Sequence, residues 1–322
     1  MTQIMEVSRR GLLAGAAALA ACSPRPSTPG QVTLRIANYK AGPGDLLKAA
    51  GLDATPYKIA WSEFASGNLI TEAIDARAID VGFMSEIPPI FVAGRPSQVK
   101  LVAVLRGDVN AQVALVPKNS PIRSAAELKG KRVGYVRATT SQYLLARLLA
   151  EHGLTYADIT PVALTPQDGL SAFGQGALDA WVVYGAPGAL ARARLGARVL
   201  ATGLGRLSGN YVHAAFAEAL DDPRRRAAIA DHLQRLKRAY AWAEANPDAW
   251  AAAQAAATGV PAEIYRRIYR ERSASAVLGP VDEAAIHSQQ TVADGFAALG
   301  AIPAKVDVRP LWKSTFYKEL ST

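Results

Sequence analysis

The sequence predicts an α/β protein made of two similar lobes that are joined by two extended segments. Short apolar segments typical of strands alternate with helix-like segments through the first two thirds of the chain, which favours a mostly parallel sheet covered on both faces. The same alternation restarts at Lys131, and this indicates a second unit built like the first. Beyond Ala214 the chain changes to Ala-rich, charged helices, which are available to cover one lobe.

The composition is that of an ordinary globular protein. The 322 residues are 50% hydrophobic and 20% charged, with 26 Gly and 19 Pro, a balance that excludes a collagen, a coiled coil and a disordered chain. No apolar run reaches about 18 residues, so no segment is predicted to span a membrane. The single cysteine excludes a disulfide scaffold. The net charge of +9 suits an anionic partner, which could be nucleic acid, lipid headgroups or a small acid.

The N-terminal region reads as an export signal rather than as part of the fold. An arginine pair precedes the apolar run Gly11–Ala21, which is too short to cross a bilayer. Small residues lead to Cys22, and the Pro-rich segment Ser23–Gly30 follows as an extended linker. We therefore expect residues 1–21 to be a signal peptide and residues 22–30 to be a lipidated tether.

Two short motifs refine this expectation. Leu19–Cys22 resembles the lipobox of bacterial lipoproteins, whose cysteine is acylated and becomes the mature N-terminus. Ser8–Leu13, which contains Arg9 and Arg10, resembles a twin-arginine export motif. We expect an exported protein in the periplasm that is anchored to the membrane by lipidated Cys22, with twin-arginine and general secretion both open as routes.

The first lobe begins with an alternating strand that a loop containing two glycines closes. A short helix ends at Gly51, and a longer helix follows the second strand. Near-continuous apolar runs then predict two buried strands. The predicted strands are residues 32–37, 57–61, 80–84, 99–105 and 112–116, and the predicted helices are residues 45–50 and 67–78.

The second lobe repeats this order, and the helical C-terminal third follows it. The helix that starts at Thr140 has leucines on one face and stops at Gly153. The predicted strands are residues 131–136, 160–164, 179–184 and 198–202, with helices over residues 140–152, 167–175, 223–245, 247–258, 261–270 and 282–299. We expect lobe I to comprise residues 31–110 and 205–322, and lobe II to comprise residues 111–204.

Two such lobes enclose a cleft, which the loops at the carboxyl ends of their strands line. These loops are rich in hydroxyl, amide and aromatic side chains, and three of them run into helix N-termini. They comprise residues 38–44, 62–67, 84–89, 137–141 and 184–187.

Seven stretches along the chain resemble one family. In order they are Glu63–Gly67, Ala78–Phe83, Ile87–Phe91, Val116–Ile122, Leu128–Val133, Leu178–Val182 and Leu299–Pro303. The chain resembles the substrate-binding lipoproteins of bacterial ABC importers of the aliphatic sulfonate, taurine and nitrate type. The resemblance implies a periplasmic binding protein type II fold, with two Rossmann-like lobes joined by two crossover segments and closing on ligand by a hinge.

The resemblance also implies the ligand contacts and the partners. The ligand is expected to be a small organic sulfonate, and the partners a membrane permease and an ATPase; we expect a monomer that binds no nucleic acid. The implied ligand-binding residues, carried over position by position, are Tyr39, Lys40, Ser66, Gly67, Ser85, Glu86, Thr139, Thr140, Ser141, Trp181, Tyr184 and Asn210.

These loops suit a sulfonate, which stays ionised and only accepts hydrogen bonds. Helix N-termini supply free backbone N–H groups and the positive end of the helix dipole, and Ser66 and Thr140 stand at two such helix starts, as ligand contacts or as plain N-caps. Trp181 and Tyr184 are candidates for an apolar wall. Glu86 would repel an anion unless it is paired or binds a substrate amine, in which case a zwitterion such as taurine is favoured.

Several other functions are disfavoured by the sequence. The four histidines have no metal-ligand spacing, and no nucleophile elbow, phosphate loop or dinucleotide fingerprint occurs, so we expect no metal, no cofactor and no catalysis. Binding of nitrate, a sulfate ester or a thiamine pyrimidine precursor stays open, as does an orphan sensor lipoprotein. We expect that substituting Thr140 and Ser141 together lowers ligand affinity without unfolding the protein.

Overall fold

Eleven strands and eleven α-helices are found in residues 31–321, the part of the chain that the computed structural model describes. The predicted signal peptide, the tether and Cys22 lie outside these residues. The strands are β1 (Thr33–Asn38), β2 (Lys58–Glu63), β3 (Val81–Ser85), β4 (Val99–Arg106), β5 (Val113–Val116), β6 (Arg132–Tyr135), β7 (Thr160–Ala163), β8 (Ala180–Val183), β9 (Arg198–Thr202), β10 (Asn210–Phe216) and β11 (Val277–Gly279).

The helices account for most of the rest, and short 3₁₀ turns join some of them. They are α1 (Pro43–Ala49), α2 (Gly67–Asp75), α3 (Thr140–Ala150), α4 (Pro166–Gly174), α5 (Gly185–Arg194), α6 (Ala217–Asp221), α7 (Pro223–Ala245), α8 (Pro247–Thr258), α9 (Ala262–Glu271), α10 (Glu283–Ala298) and α11 (Tyr317–Ser321). Over the described residues, no helix combines the length and the apolarity that a membrane crossing requires.

The strands form two separate sheets. Sheet A has the strand order β11-β4-β10-β3-β1-β2, and sheet B has the order β7-β6-β8-β5-β9. The chain crosses between them twice, through residues 107–112 and residues 203–209, and the lobe boundaries predicted after residues 110 and 204 lie in these two segments. Both sheets belong to one compact unit that begins at Val32.

The sheets are mixed rather than mostly parallel. Parallel pairing joins β1 to β2 and β3, and β6 to β7 and β8, as expected. In contrast β5, β10 and β11 run antiparallel to their neighbours. The reason is that β5 and β10 directly follow the two crossing segments, so they begin at the edge of the sheet where the parallel strands end.

Side-chain alternation along β8 divides the core of sheet B into two layers. Ala180 and Val182 pack with the leucines of α3 on one face, whereas Trp181 and Val183 pack with Phe173 of α4 on the other. Sheet A has a larger core that includes α7 and the C-terminal segment. Helix α2 ends at Asp75, earlier than predicted, because Arg77 adopts a left-handed conformation with a φ of 63°.

Candidate functional site

The loops predicted to line a cleft come from both sheets. Tyr39 follows β1, Ser85 ends β3 and Asn210 begins β10, all in sheet A. Thr139 lies between β6 and α3, and Tyr184 lies between β8 and α5, both in sheet B. The predicted residues therefore come from the ends of strands in both sheets, where parallel strands place their ligand-binding loops.

The start of α2 has no side-chain cap. Ser66 is the N-cap residue, but its side chain does not cap the helix; its Oγ donates instead to Oδ1 of Asn68, at 2.6 Å. The Tyr39 hydroxyl lies directly over this turn, because a Cβ atom added to Gly67 would be 3.2 Å from it. A hydroxyl donor and a helix N-terminus without a side-chain cap therefore converge at one point of lobe I.

The start of α5 has the same property in lobe II. Tyr184 is its N-cap residue, and no side chain caps the helix. The Tyr184 hydroxyl is buried and makes no hydrogen bond of normal geometry; burial raises its pKa, and the nearby Thr139 side chain opposes the rise. A buried polar group without a partner is costly, so this hydroxyl is suited to donate to a bound acceptor.

The two tyrosines are close enough to interact across the lobes. Burial raises the pKa of Tyr39 well above its ordinary value, and the electrostatic effect of Tyr184 raises it further. Each hydroxyl stays protonated at neutral pH and is therefore a donor. The site thus has one tyrosine donor and one open helix start on each side.

The hydroxyl groups at the start of α3 are used within the protein. The Thr139 side chain accepts from the Ser141 N–H, at 3.2 Å, and donates to the Val136 carbonyl. The Ser141 Oγ donates to the Val182 carbonyl, at 2.6 Å, and accepts from the Val136 N–H. These side chains fasten α3 to sheet B, so hydroxyl-rich sequence alone does not identify a donor for the ligand.

Trp181 and Lys40 have surroundings that differ from those of the two tyrosines. Trp181 has no exposed surface, and its indole packs on Phe173 with ring centroids 5.8 Å apart. A Cβ atom added to Gly169 would lie 2.5 Å from the indole nitrogen, so α4 covers this ring directly. Lys40 is exposed to solvent. The structure therefore places Trp181 in the core of sheet B and Lys40 at the surface.

Glu86 and Asn210 lie in a buried polar cluster. The Glu86 carboxylate is 2% exposed and accepts hydrogen bonds from Ser208 Oγ at 2.5 Å, Ser288 Oγ at 3.1 Å and Asn210 Nδ2 at 3.3 Å. Burial raises the pKa of Glu86, and these three hydrogen bonds oppose the rise. In the backbone, the Glu86 N–H donates to the Asn210 carbonyl. Ser85 is less engaged, because its Oγ accepts one long contact from the Ile87 N–H.

A small cavity borders this cluster. Its volume of ≈ 20 Å³ is about that of one water molecule. The polar residues in its lining are Glu86, Thr140, Tyr143, Ser208, Asn210 and Tyr211, and the apolar ones include Ile87, Val109, Leu207 and Val292. Over residues 31–321 no group of three or more His, Cys, Asp or Glu side chains is arranged to hold a metal ion.

Hydrogen bonds connect the start of α3 to the first crossing segment and to β10. Thr140 Oγ1 donates to Gln112 Oε1, at 2.7 Å, and Gln112 Nε2 donates to the Tyr211 hydroxyl, at 3.1 Å. The Tyr211 hydroxyl in turn donates to the Asp108 carbonyl, at 2.7 Å. Gly209 has a φ of 78°, and a Cβ atom there would lie 2.7 Å from the Gly107 carbonyl oxygen, so the two segments can meet only at a glycine.

Sequence reasoning missed Gln112, Tyr143, Ser208, Tyr211 and Ser288. Ser288 is 202 residues from Glu86 in the chain, and Ser208 is 122 residues from it. Such contacts depend on how α10 and the second crossing segment pack, and no local sequence motif predicts them. The one available signal is Gly209, whose position between Ser208 and Asn210 marks a backbone turn.

Comparison with known proteins shows the family of this chain. The family described as NMT1/THI5 like matches residues 48–250. A protein of Escherichia coli K12 that is named for binding aliphatic sulfonates is 32% identical over 323 residues, and the match covers 98% of each chain.

Two solved structures give the same result. The periplasmic aliphatic sulphonate-binding protein SsuA from Escherichia coli matches with a TM-score of 0.76 and 31% identity, covering 88% of this chain and 92% of that one. The alkanesulfonate-binding protein SsuA from Xanthomonas axonopodis pv. citri, bound to MOPS, matches with a TM-score of 0.77 and 29% identity, covering 87% and 98%. The resemblance and the fold predicted from the sequence are thus confirmed.

Proposed function

The chain belongs to the NMT1/THI5-like family, and from this premise we propose that it is the solute-binding component of an ABC importer for small organic sulfonates. Its relatives are named as sulfonate-binding proteins. The protein is therefore a binding protein and not an enzyme: it captures the ligand and delivers it to a permease that an ATPase drives, and no bond is made or broken.

One observation carries the proposal: two tyrosines, one from each lobe, lie close enough to affect each other electrostatically, and each is next to a helix start that has no side-chain cap. The Tyr184 hydroxyl is buried and makes no hydrogen bond of normal geometry, and the Tyr39 hydroxyl lies over Gly67. A sulfonate has three oxygens that only accept hydrogen bonds, so it matches donors that converge from two sides. The N-termini of α2 and α5 add the positive ends of their dipoles.

Binding across the lobes explains why the ligand favours a closed form. Helix α5 is packed on α8 and α9, where Ala189 contacts Val260 and Tyr265, and α8 reaches the loop after β1 through Gln254, which donates to the Ala41 carbonyl. These contacts exist when the lobes are together, and a ligand held at both the start of α5 and Tyr39 stabilises that closed state further. The ligand therefore shifts the population toward the closed state.

Of the remaining predicted ligand residues, Thr140, Glu86 and Asn210 line the cavity beside the site, and we propose that the cleft surface also includes Ser66, Gly67 and Ser85. Trp181 is fully buried, so it has no face to offer a ring stacked on Tyr184. This disfavours the thiamine pyrimidine precursor as ligand.

Export and anchoring complete the proposal. The aliphatic sulphonate-binding protein SsuA from Escherichia coli is periplasmic, and the arginine pair and apolar run at the start of this chain suit export to the same compartment. We propose that Cys22 carries the lipid that anchors the protein and that the protein works as a monomer, with twin-arginine and general secretion both open as export routes.

Calorimetric titration of the purified protein with ethanesulfonate, ethyl sulfate, nitrate and the pyrimidine tests the ligand class. We expect ethanesulfonate to bind most tightly, and Tyr184→Phe to weaken it about tenfold or more, because a hydrogen bond to a charged group is lost. Tyr240→Phe is a suitable control, since Tyr240 is a partly buried tyrosine packed against the core around sheet A. Tighter binding of another class, or unchanged affinity in Tyr184→Phe, would contradict the proposal.

A further inference from the structure

We propose that Asn68 is a further ligand contact: its side-chain amide donates a hydrogen bond to the sulfonate and sets a preference for sulfonates over carboxylates. This inference rests on the proposed sulfonate site and adds a specificity-determining residue to it. Asn68 is the second residue of α2, and it is not among the ligand-binding residues that the family resemblance implies.

The first argument is the orientation of the amide. The Ser66 Oγ donates to Oδ1 of Asn68, at 2.6 Å, so the Asn68 side chain lies back against the residue that precedes the helix. Ser66 is only 5% exposed, and it holds the oxygen end of the amide from the protein side. The nitrogen end carries two donor hydrogens and makes no hydrogen bond within residues 31–321. Because Asn68 is partly exposed, this donor is available to a ligand.

The second argument is the electrostatics of the helix start. No side chain caps α2, and no Asp or Glu lies in its first turn. Helices α1, α4 and α10 instead have Asp45, Asp168 and Glu283 in their first turns, where an acid offsets the positive end of the dipole. The start of α2 keeps its donors and the Asn68 amide without a negative partner, so an anionic ligand is complementary to it.

The third argument is position. A Cβ atom on Gly67, the residue before Asn68, would lie 3.2 Å from the Tyr39 hydroxyl, and Tyr39 is close enough to Tyr184 for an electrostatic effect. Asn68 therefore adjoins the residue that Tyr39 covers, and it gives the site a third side-chain donor. A sulfonate has three oxygens for these donors, whereas a carboxylate has two and leaves one donor without an acceptor, which costs binding free energy.

Asn68→Asp separates ligand binding from helix stability, because the two effects have opposite signs. The carboxylate keeps the shape of the amide, removes the donor and repels the sulfonate, so calorimetric titration should show affinity for ethanesulfonate reduced about a hundredfold or more. An acid in the first turn stabilises a helix, so the melting temperature should stay the same or rise. Gln167→Glu is the matched control, since it makes the same amide-to-acid change at the second residue of α4 and should leave affinity unchanged.

Asn68→Ala tests the preference between acids. We expect the unaltered protein to bind ethanesulfonate more tightly than propionate, with propionate measured by competition against ethanesulfonate. The variant should bind ethanesulfonate about tenfold more weakly, whereas its affinity for propionate should change little. The ratio of the two affinities should therefore fall about tenfold, and a loss of folded protein alone would not change this ratio.

A double-mutant cycle tests the role of Ser66 as a positioning residue. Ser66→Ala releases the oxygen end of the amide, so it should weaken ethanesulfonate binding about threefold in the unaltered protein and have no further effect in Asn68→Ala. If Ser66→Ala has the same effect in both backgrounds, Ser66 does not act through Asn68 and the orientation argument is wrong.

The outcomes separate this inference from the proposed function. If Asn68→Asp and Asn68→Ala bind ethanesulfonate as tightly as the unaltered protein does, Asn68 is not a ligand contact and the sulfonate site at the two tyrosines stands. Equal losses for ethanesulfonate and propionate in Asn68→Ala would overturn the assigned preference. If Asn68→Asp melts well below the unaltered protein, its affinity reports folding, and the affinity ratio in Asn68→Ala decides the question. If the unaltered protein binds no sulfonate, both proposals fail together.

Discussion

The start of α2 and the start of α3 carry similar small polar residues, Ser66–Asn68 in one case and Thr139–Ser141 in the other. At α3 the hydroxyls cap the helix and join it to sheet B. At α2 no side chain caps the helix, and the Tyr39 hydroxyl lies over the first turn. A helix start can accept a ligand, as we propose for α2, when its own side chains leave the backbone donors free.

The largest expected effect is a loss of folding stability at acid pH that ligand affinity does not share. His213 and His232 are buried, and burial lowers their pKa values to about 3 and about 4. Between these values and 6.5 the unfolded chain binds protons that the folded one does not, so stability falls as pH falls below 6.5 and is constant above it. We expect about 2 kcal/mol to be lost per histidine between pH 6.5 and pH 5.

We expect ethanesulfonate affinity not to follow this loss, because the tyrosine hydroxyls, the backbone N–H groups and the sulfonate do not titrate between pH 5 and pH 7; any change in affinity over this range is assigned to the Glu86 carboxyl, whose pKa burial raises. Chemical denaturation and calorimetry over that range measure the two quantities. His213→Gln should flatten the stability profile by about half, and His287→Gln, on the partly exposed surface of α10, is the control. If stability is flat down to pH 5, the buried histidines are not the cause of acid sensitivity.

The second effect is at the start of α3, where Ser141→Ala should reduce stability rather than affinity. Without the hydroxyl, the Val136 N–H and the Val182 carbonyl lose their partner in the interior, and we expect a loss of roughly 2–4 kcal/mol in the free energy of unfolding. The original expectation for Thr140 and Ser141, a loss of affinity without unfolding, therefore changes for Ser141. If Ser141→Ala instead loses much of its affinity and keeps normal stability, the start of α3 binds the ligand and the contrast drawn with α2 is wrong.

The third effect is at α2, where Tyr39→Phe should weaken sulfonate binding about tenfold with little change in melting temperature. Tyr156→Phe is its counterpart at α3, because the Tyr156 hydroxyl donates to the Gln142 carbonyl at 2.9 Å. That variant should lose about 1 kcal/mol of stability and keep its affinity. The comparison fails if the two variants exchange their effects.

Much of the fold could be predicted from the sequence, because alternation and apolar runs are local signals. Five elements were not predicted, namely α5, α6, α11, β10 and β11, and two of them show why. Helix α5 has an Ala- and Arg-rich sequence with Pro187 near its start, and its packing comes from α8 and α9. Strand β10 starts at the end of a crossing segment, so its partners β3 and β4 are distant in the chain.

The candidate site likewise has features that the sequence predicts and features that it does not. Tyr39 follows one predicted strand and Tyr184 ends another, so the sequence predicted their position at the sheet edge. Whether a hydroxyl is free depends on acceptors elsewhere, as the Ser141 hydrogen bond to Val182 illustrates. Trp181 was misleading because it stands near the end of a strand, yet alternation along β8 points it into the core with Val183.

The smallest effect is the most direct test of the comparison. Thr139→Ala removes a side chain that accepts from the Ser141 N–H, so the loss of this cap should reduce stability by about 1 kcal/mol. Ser66→Ala removes a side chain that caps nothing, and its stability should stay within about 0.5 kcal/mol of the parent. Denaturant titration of both variants resolves this difference. Equal losses would mean that Ser66 stabilises α2 as Thr139 stabilises α3, and the open start of α2 would then no longer set it apart as the ligand-binding end.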